Sequence, residues 1–112
     1  MKNKYDVLFL EEAINFLDTL DSKVRTKIIY NIKKSKIVKS KELFKKLDED
    51  IWEFRTLYSK TYYRLFAFWD KDTDKLVVIT HGLIKKSKKT PKSDITHAKM
   101  LMKNYKKLKE RK

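Results

Sequence analysis

Residues 51–84 read IWEFRTLYSKTYYRLFAFWDKDTDKLVVITHGLI, and this stretch decides the fold. Three segments of it, Ile51 to Leu57, Tyr62 to Trp69 and Leu76 to Ile84, are rich in the β-branched and aromatic residues that favour strands. Two short polar segments separate them. The stretch therefore predicts three consecutive strands joined by turns, a three-stranded meander.

Before the meander, the pattern predicts a strand followed by two helices. Tyr5 to Phe9 is a short apolar run of strand length, and the next apolar residues recur at the spacing of one helix face. Asp21-Ser22 then provides a helix N-cap, after which apolar residues recur every four positions. The two sets are Ala13, Phe16, Leu17 and Leu20, and Val24, Ile28 and Ile32. They indicate an amphipathic helical hairpin with a lysine-rich polar face.

After the meander, the sequence predicts one more helix. Thr90-Pro91 supplies an N-cap and a proline at the first helical position, and apolar residues follow at helical spacing. We expect this helix to fray beyond Tyr105, leaving about residues 106–112 as a frayed tail. Residues 1–112 are thus predicted to form a single α+β domain. In it, the N-terminal strand and the helical hairpin pack on a mostly antiparallel sheet, and a C-terminal helix completes the fold.

Charge and composition restrict the function. The chain carries 29 Lys and Arg against 15 Asp and Glu, a formal charge of +14, which points to a polyanionic partner. Residues 85–112 hold twelve basic and two acidic residues, whereas residues 41–84 hold eight of each. A hydrophobic content of 41% excludes a wholly disordered basic tail. No apolar stretch has the length of a membrane span or the pattern of a signal peptide, so we expect a cytoplasmic protein without a membrane partner.

Metal ligands are scarce in this chain, which has no Cys and two His. Asp70, Asp72 and Asp74 share the spacing that opens a calcium-binding EF loop, but Lys75 stands where that loop needs Gly and His81 where it needs Glu. We interpret the three acids as a solvated turn. The sequence predicts no metal site and no cofactor.

Each strand of the meander carries a polar functional side chain among apolar neighbours. Arg55 and Arg64 lie on half-buried strands, where an arginine needs a counter-charge, so each either pairs with an acid such as Glu53 or binds phosphate. His81 is either a structural histidine or a proton-transfer group, because its ordinary pKa lies near neutrality. Strict strand alternation predicts that one face of the third strand carries Val77, Ile79, His81 and Leu83.

A lysine run connects the last strand to the C-terminal helix. Lys85-Lys86-Ser87-Lys88-Lys89 contains four lysines in five residues and leads to a helix N-terminus, where free backbone N–H groups also favour phosphate. Such a run is either a solvated connection or an anion-binding surface. The sequence assigns no role to His97, which follows near the edge of the helix face.

Three motifs resemble the HigB branch of the RelE/ParE toxin superfamily. They are Ile51-Trp52-Glu53-Phe54-Arg55, Tyr63-Arg64-Leu65-Phe66, and the segment Thr80 to Pro91, which reads THGLIKKSKKTP. The last motif is the specific one: in that branch it looks like LLHGFxKKxxKTP, from which this chain departs at Leu83-Ile84. By motif, the resemblance covers about residues 40–105.

The resemblance implies a ribosome-dependent endoribonuclease, an mRNA interferase, that is neutralised by a cognate helix-turn-helix antitoxin of the HigA type. The ribosome and mRNA are then its other partners. The candidate residues are Arg55, Arg64, His81 and Lys86 for catalysis, with Glu53 as a structural or catalytic member of the same motif, and Lys85, Lys88, Lys89 and Lys92 for RNA binding. Which side chain acts as base or acid stays open.

Two alternatives of other classes remain. The same superfamily includes toxins that inhibit gyrase without nuclease activity, and a small basic domain can bind RNA or the ribosome without cutting. His81 together with two strand arginines favours the nuclease over both.

Two basic surfaces offer docking sites for an acidic or apolar segment of the antitoxin: the helical hairpin from Lys23 to Lys39 and the C-terminal run. We expect docking at the hairpin, because its polar face is large and rigid. We expect an antitoxin bound there to inhibit by keeping the toxin out of the ribosome; occlusion of His81 is the alternative way to inhibit.

Overall fold

The computed structural model of the chain describes residues 4–85 and 89–110, and its elements follow the predicted order with one strand added. The described residues form strands β1 (Asp6–Phe9), β2 (Phe44–Lys46), β3 (Ile51–Tyr58), β4 (Thr61–Asp70) and β5 (Leu76–Lys85), and helices α1 (Glu11–Asp18), α2 (Ser22–Ser35) and α3 (Lys92–Glu110). The three predicted strands of the meander agree with β3, β4 and β5 to within one residue at each end. The added strand β2 has three residues, too few for an alternation pattern to reveal it.

The strands form one sheet in the order β1-β5-β4-β3-β2. β1 pairs with β5 in parallel, and the other three pairs are antiparallel. The predicted α+β class with a mostly antiparallel sheet is therefore confirmed. None of the described helices is both long enough and apolar enough to cross a bilayer.

The helices cover the two faces of the sheet. On one face, α1 and α2 bury Leu17 and Ile28 against Phe54 and Leu65. On the other face, α3 contributes Ala98 to a second core cluster, which includes Ile51, Phe66 and Phe68. The sheet thus separates two cores, and the polar residues of the predicted site lie on the α3 face.

A β-bulge at Thr80 changes which residues of β5 face α3. His81 pairs with Phe66, whereas Ile79 pairs with Ala67, so Thr80 is an extra residue on β5. The predicted common face for four residues of this strand is wrong, because one inserted residue reverses the alternation. Val77 and Ile79 belong to the core under the helical hairpin, Leu83 packs in the core under α3, and His81 stacks on Phe66.

Asp70 anchors the last turns of α3. Its carboxylate Oδ2 accepts hydrogen bonds from Lys109 Nζ at 2.6 Å and from Tyr105 Oη at 2.7 Å. Burial alone would raise the pKa of Asp70, but these hydrogen bonds outweigh it and lower the pKa to about 2. Asp70 is therefore a buried anchor rather than part of a solvated turn. The sequence predicts fraying from residue 106, yet α3 continues to Glu110; residues 111–112 lie outside the described part of the chain.

Candidate functional site

Glu53 is the centre of a buried polar cluster between β3, β4 and the start of α3. Arg64 Nη1 lies 2.8 Å from Oε1 and 2.9 Å from Oε2 of Glu53. The Thr90 hydroxyl donates to Oε2 at 2.8 Å, and Arg55 Nε lies 3.4 Å from Oε1. One carboxylate thus serves two guanidinium groups, which leaves this part of the sheet positively charged.

The two arginines differ in their access to solvent. Arg64 is 1% exposed, and its Nη1 also donates to the Thr90 hydroxyl at 2.9 Å. The side chain of Arg55 is 19% exposed. The described contacts of Arg64 match the ion-pair alternative, because its Nη1 lies on both oxygens of the Glu53 carboxylate. Arg55 is the arginine of the pair that can contact a ligand directly.

Thr90 joins the start of α3 to this cluster. The sequence predicts that Thr90 caps the helix, but α3 begins at Lys92, and the Thr90 hydroxyl donates to Glu53 instead. The first turn is closed by the backbone, since the Asp94 N–H donates to the Pro91 carbonyl at 3.2 Å. A residue predicted to act locally therefore makes a long-range contact that holds α3 on the sheet.

His81 is buried on the same face, between β5 and α3. Its Nε2 lies 3.1 Å from Asp94 Oδ1, and its Nδ1 lies 3.0 Å from the Thr80 hydroxyl. Burial lowers the pKa of His81 below its ordinary value, while the hydrogen bond to Asp94 acts in the opposite direction. His81 is consequently neutral at pH 7, and both of its ring nitrogens are occupied by partners.

The partners also determine the tautomer of neutral His81. An ionised Asp94 can only accept, so the ring proton lies on Nε2 and Nδ1 is an acceptor. The Thr80 hydroxyl has one proton but two acceptors at similar distance, His81 Nδ1 and the Phe66 carbonyl oxygen at 3.1 Å. Protonation of His81 removes this competition, because both nitrogens then donate.

His97 belongs to this site, although sequence reasoning assigned it no role. Its ring meets that of His81 edge to face, with 4.7 Å between centroids, and its Nε2 lies 2.8 Å from Glu12 Oε1. An open cleft between α1 and β5 is lined in part by Glu12, His81, Gly82 and His97. The signal that could have found His97 is its spacing of three residues from Asp94, which puts both on one face of a helix.

Beyond Arg55 and Arg64, the α3 face of the sheet carries a row that we call the open row: Leu57, Tyr62 and Lys85, side by side on β3, β4 and β5. Leu57 is 54% exposed, so none of the described elements covers this residue. The Tyr62 ring lies 5.6 Å from Arg64 Cζ. Aromatic rings flanked by cations are a common surface for stacking nucleic-acid bases and binding their phosphates.

The lysines of the predicted RNA surface are distributed around the start of α3. Lys85 Nζ donates to the Lys89 carbonyl at 3.2 Å, which brings the two ends of the lysine run together. Lys89 and Lys92 are exposed. Lys86 and Lys88, predicted for catalysis and RNA binding, lie outside the described residues.

Comparison with solved structures identifies the fold. The chain is similar to the RelBE2 toxin–antitoxin complex of Mycobacterium tuberculosis, with 19% identity, a TM-score of 0.52, and coverage of 70% of this chain and 95% of that one. It is similar to the archaeal RelE–RelB complex of Pyrococcus horikoshii, with 12% identity, a TM-score of 0.51, and coverage of 77% and 99%. It is also similar to a free mutant of the Escherichia coli toxin RelE, with 19% identity, a TM-score of 0.52, and coverage of 85% and 93%. At these identities the likeness establishes a RelE-like fold.

Comparison of the sequence with protein families gives the family. No curated protein matches the chain significantly. A family model described as phage-derived protein Gp49-like (DUF891) matches residues 15–103, which is well over half of the chain. The protein therefore belongs to the Gp49-like family of phage-derived proteins.

Proposed function

We propose that this protein is the toxin of a type II toxin–antitoxin system, a ribosome-dependent endoribonuclease of the HigB branch that cleaves mRNA in the cytoplasm during translation. A cognate helix-turn-helix antitoxin of the HigA type neutralises it. The observation that carries the proposal is the open row beside Arg55, which adds an aromatic ring and a lysine to the sheet face that holds Glu53 and His81. The formal charge of +14 supports a polyanionic substrate.

The proposed reaction is an internal transesterification of RNA. The 2′-oxygen attacks the adjacent phosphorus, and its proton passes to a base. The bond from phosphorus to the 5′-oxygen then breaks, and the 5′-oxygen receives a proton. The products are a 2′,3′-cyclic phosphate and a 5′-hydroxyl, and the transition state carries extra negative charge on the phosphoryl oxygens.

Arg55 is the residue that meets this charge in the proposal. Its guanidinium is partly exposed and is held through Nε by Glu53, which leaves the outer nitrogens to donate to a phosphate. Arg64 acts as a positioning residue, because it fixes the Glu53 carboxylate that orients Arg55. Lys86 remains a candidate catalytic residue, and the other lysines of this region bind the RNA backbone: Lys85, Lys88, Lys89 and Lys92.

His81 is the proposed proton-transfer residue. It is neutral at pH 7 because burial lowers its pKa, which is the form a base requires. Its Nε2 is occupied by Asp94, so the RNA has to exchange this contact before His81 can act. A site that is incomplete alone and completed by an external scaffold fits ribosome dependence, since orientation of the reacting groups supplies much of the catalysis.

The occupied ring nitrogens of His81 favour a second candidate, which is binding to RNA or the ribosome without cleavage. In this alternative, the His81–Asp94 contact is purely structural and holds α3 on the sheet. The open row and the lysines then carry the whole function.

Primer extension on mRNA translated in a cell-free system tests the proposal. The wild-type protein should produce discrete cuts in translated mRNA and none in the same RNA without ribosomes. Arg55→Gln should reduce cleavage by a factor of roughly 10² to 10³, the scale for the loss of one transition-state donor, whereas the exposed control Lys106→Gln should cleave normally. Translation arrest with intact mRNA would contradict the nuclease proposal and support the second candidate, binding to RNA or the ribosome without cleavage. Intact mRNA with altered DNA supercoiling would replace it by a gyrase inhibitor.

A further inference from the structure

A concave pocket opens on the face of the sheet opposite to Arg55 and His81, where α2 ends. Its walls are aromatic and come from the segment before β1 and from β2, β3 and β4, whereas its rim is basic. The wall residues are Tyr5, Phe44, Trp52 and Trp69, and the rim lysines are Lys4, Lys39 and Lys41. We call this feature the aromatic pocket.

The walls pack against one another before any ligand binds. Phe44 stacks on Trp52 with 4.7 Å between ring centroids, and Trp52 meets Trp69 edge to face at 6.2 Å. The Tyr5 hydroxyl is hydrogen-bonded to Ser35 Oγ at 2.5 Å, so it presents no unsatisfied polar group to the pocket. The pocket is thus preformed and apolar, which suits a bulky apolar side chain.

The lysines of the rim favour a ligand that carries negative charge. Among the residues that the structure describes, none forms an ion pair with Lys4, Lys39 or Lys41. Ile37 and Val38, in the segment that leads to the rim, are 41% and 45% exposed. Exposed aliphatic side chains next to a pocket favour a protein partner. Bases stack on aromatic faces, but here Phe44 already stacks on both Trp52 and Phe54.

We propose that the aromatic pocket binds an acidic segment of the antitoxin, which inserts one bulky apolar side chain between the walls and sets carboxylates against the rim lysines. The identity of the partner rests on the function proposed above. The acidic and apolar character of the segment is inferred from the residues of the pocket itself. Docking here leaves Arg55 and His81 uncovered, since they lie on the other face of the sheet, so the bound antitoxin inhibits by blocking access to the ribosome.

Intrinsic tryptophan fluorescence can report binding at this pocket, because both tryptophans of the chain, Trp52 and Trp69, line its walls. A phage-displayed library of 12-residue peptides is selected on the whole protein, and the best binder is titrated while tryptophan emission is recorded. The selected peptides should carry several Asp or Glu around a Leu or Phe, and binding should shift the emission saturably. Replacing that Leu or Phe by Ala should weaken binding tenfold or more.

Charge reversal on the rim supplies the matched test. Lys39→Glu with Lys41→Glu should weaken the peptide at least tenfold, whereas Lys106→Glu with Lys107→Glu, which makes the same change in net charge on α3, should leave it unchanged. Selected peptides without acidic residues, binding without a change in emission, or displacement of the peptide by a 12-nucleotide oligouridylate would each overturn the proposal. The peptide assay does not depend on mRNA cleavage. If the protein binds the peptide but does not cleave mRNA, the proposed function is wrong and the proposal for the aromatic pocket stands.

Discussion

Replacement of Glu53 by Gln should be among the most destabilising single changes in this protein. The Glu53 carboxylate is fully buried and accepts from Arg64 at 2.8 and 2.9 Å and from Thr90 at 2.8 Å. The variant keeps the side-chain volume but removes the negative charge that pairs with the buried Arg64 guanidinium. Breaking one side of a buried pair costs about 3–5 kcal/mol. In a domain of this size, about 1 kcal/mol corresponds to roughly 4 °C, so the melting temperature should fall by about 12–20 °C.

Thermal and urea unfolding followed by circular dichroism measures this loss. Glu49→Gln is the matched control, because it removes the same charge from an exposed position and should change the free energy of unfolding by less than about 0.5 kcal/mol. The double variant Glu53→Leu with Arg64→Met should be more stable than Glu53→Gln, since it removes both buried charges together. A loss below about 1 kcal/mol for Glu53→Gln would refute the view that Arg64 depends on this carboxylate.

Three further changes test other contacts. Gly82→Ala should lower the urea midpoint by an amount equivalent to about 1–3 kcal/mol, because the new Cβ would overlap the Phe16 ring; an unchanged midpoint would contradict this packing. The pKa of Asp70 is lowered to about 2 in the folded protein against about 3.9 when unfolded. Its ionised form therefore contributes about 2–3 kcal/mol of stability above pH 4, and this contribution is lost as the pH falls through 2. Asp70→Asn should therefore lose less stability than the wild type between pH 5 and pH 2, and parallel pH curves would rule out this role. Asp94→Asn should lower the pKa of His81 further, because the hydrogen bond that His81 donates to Asp94 raises it; a higher pKa in an NMR titration would show that another group sets it.

The strands were predictable because their evidence is local. Runs of β-branched and aromatic residues bounded by polar turns predict β3, β4 and β5 to within one residue. The bulge at Thr80 was not predictable in this way, because an inserted residue leaves no mark in the composition of a strand. Its consequence is nevertheless decisive for the site, since it turns His81 towards α3 instead of towards the core under the helical hairpin.

The candidate site was predictable in its residue types but not in its pairings. The motifs singled out Glu53, Arg55, Arg64 and His81, and all four lie on the α3 face. Whether an arginine meets a carboxylate or a phosphate depends on distances that alternation does not supply. The same limit explains Thr90, for which a local capping role was the simplest prediction, because its contact to Glu53 spans 37 residues of sequence.

The polar contacts of α3 connect the stability of the fold to the proposed chemistry. Ala98 of this helix is fully buried, and Ile95, Met102 and Tyr105 pack partly buried against the same core. Polar contacts add to this attachment, between Asp94 and His81 at one end and between Lys109 and Asp70 at the other. The contact that occupies His81 Nε2 is therefore also one that holds the start of α3. Under the proposed function, a polyanion bound by Lys89 and Lys92 acts on this same end of the helix, opposite to the anchor at Asp70. The proposed function therefore requires that the contact between His81 and Asp94 be exchanged when RNA binds.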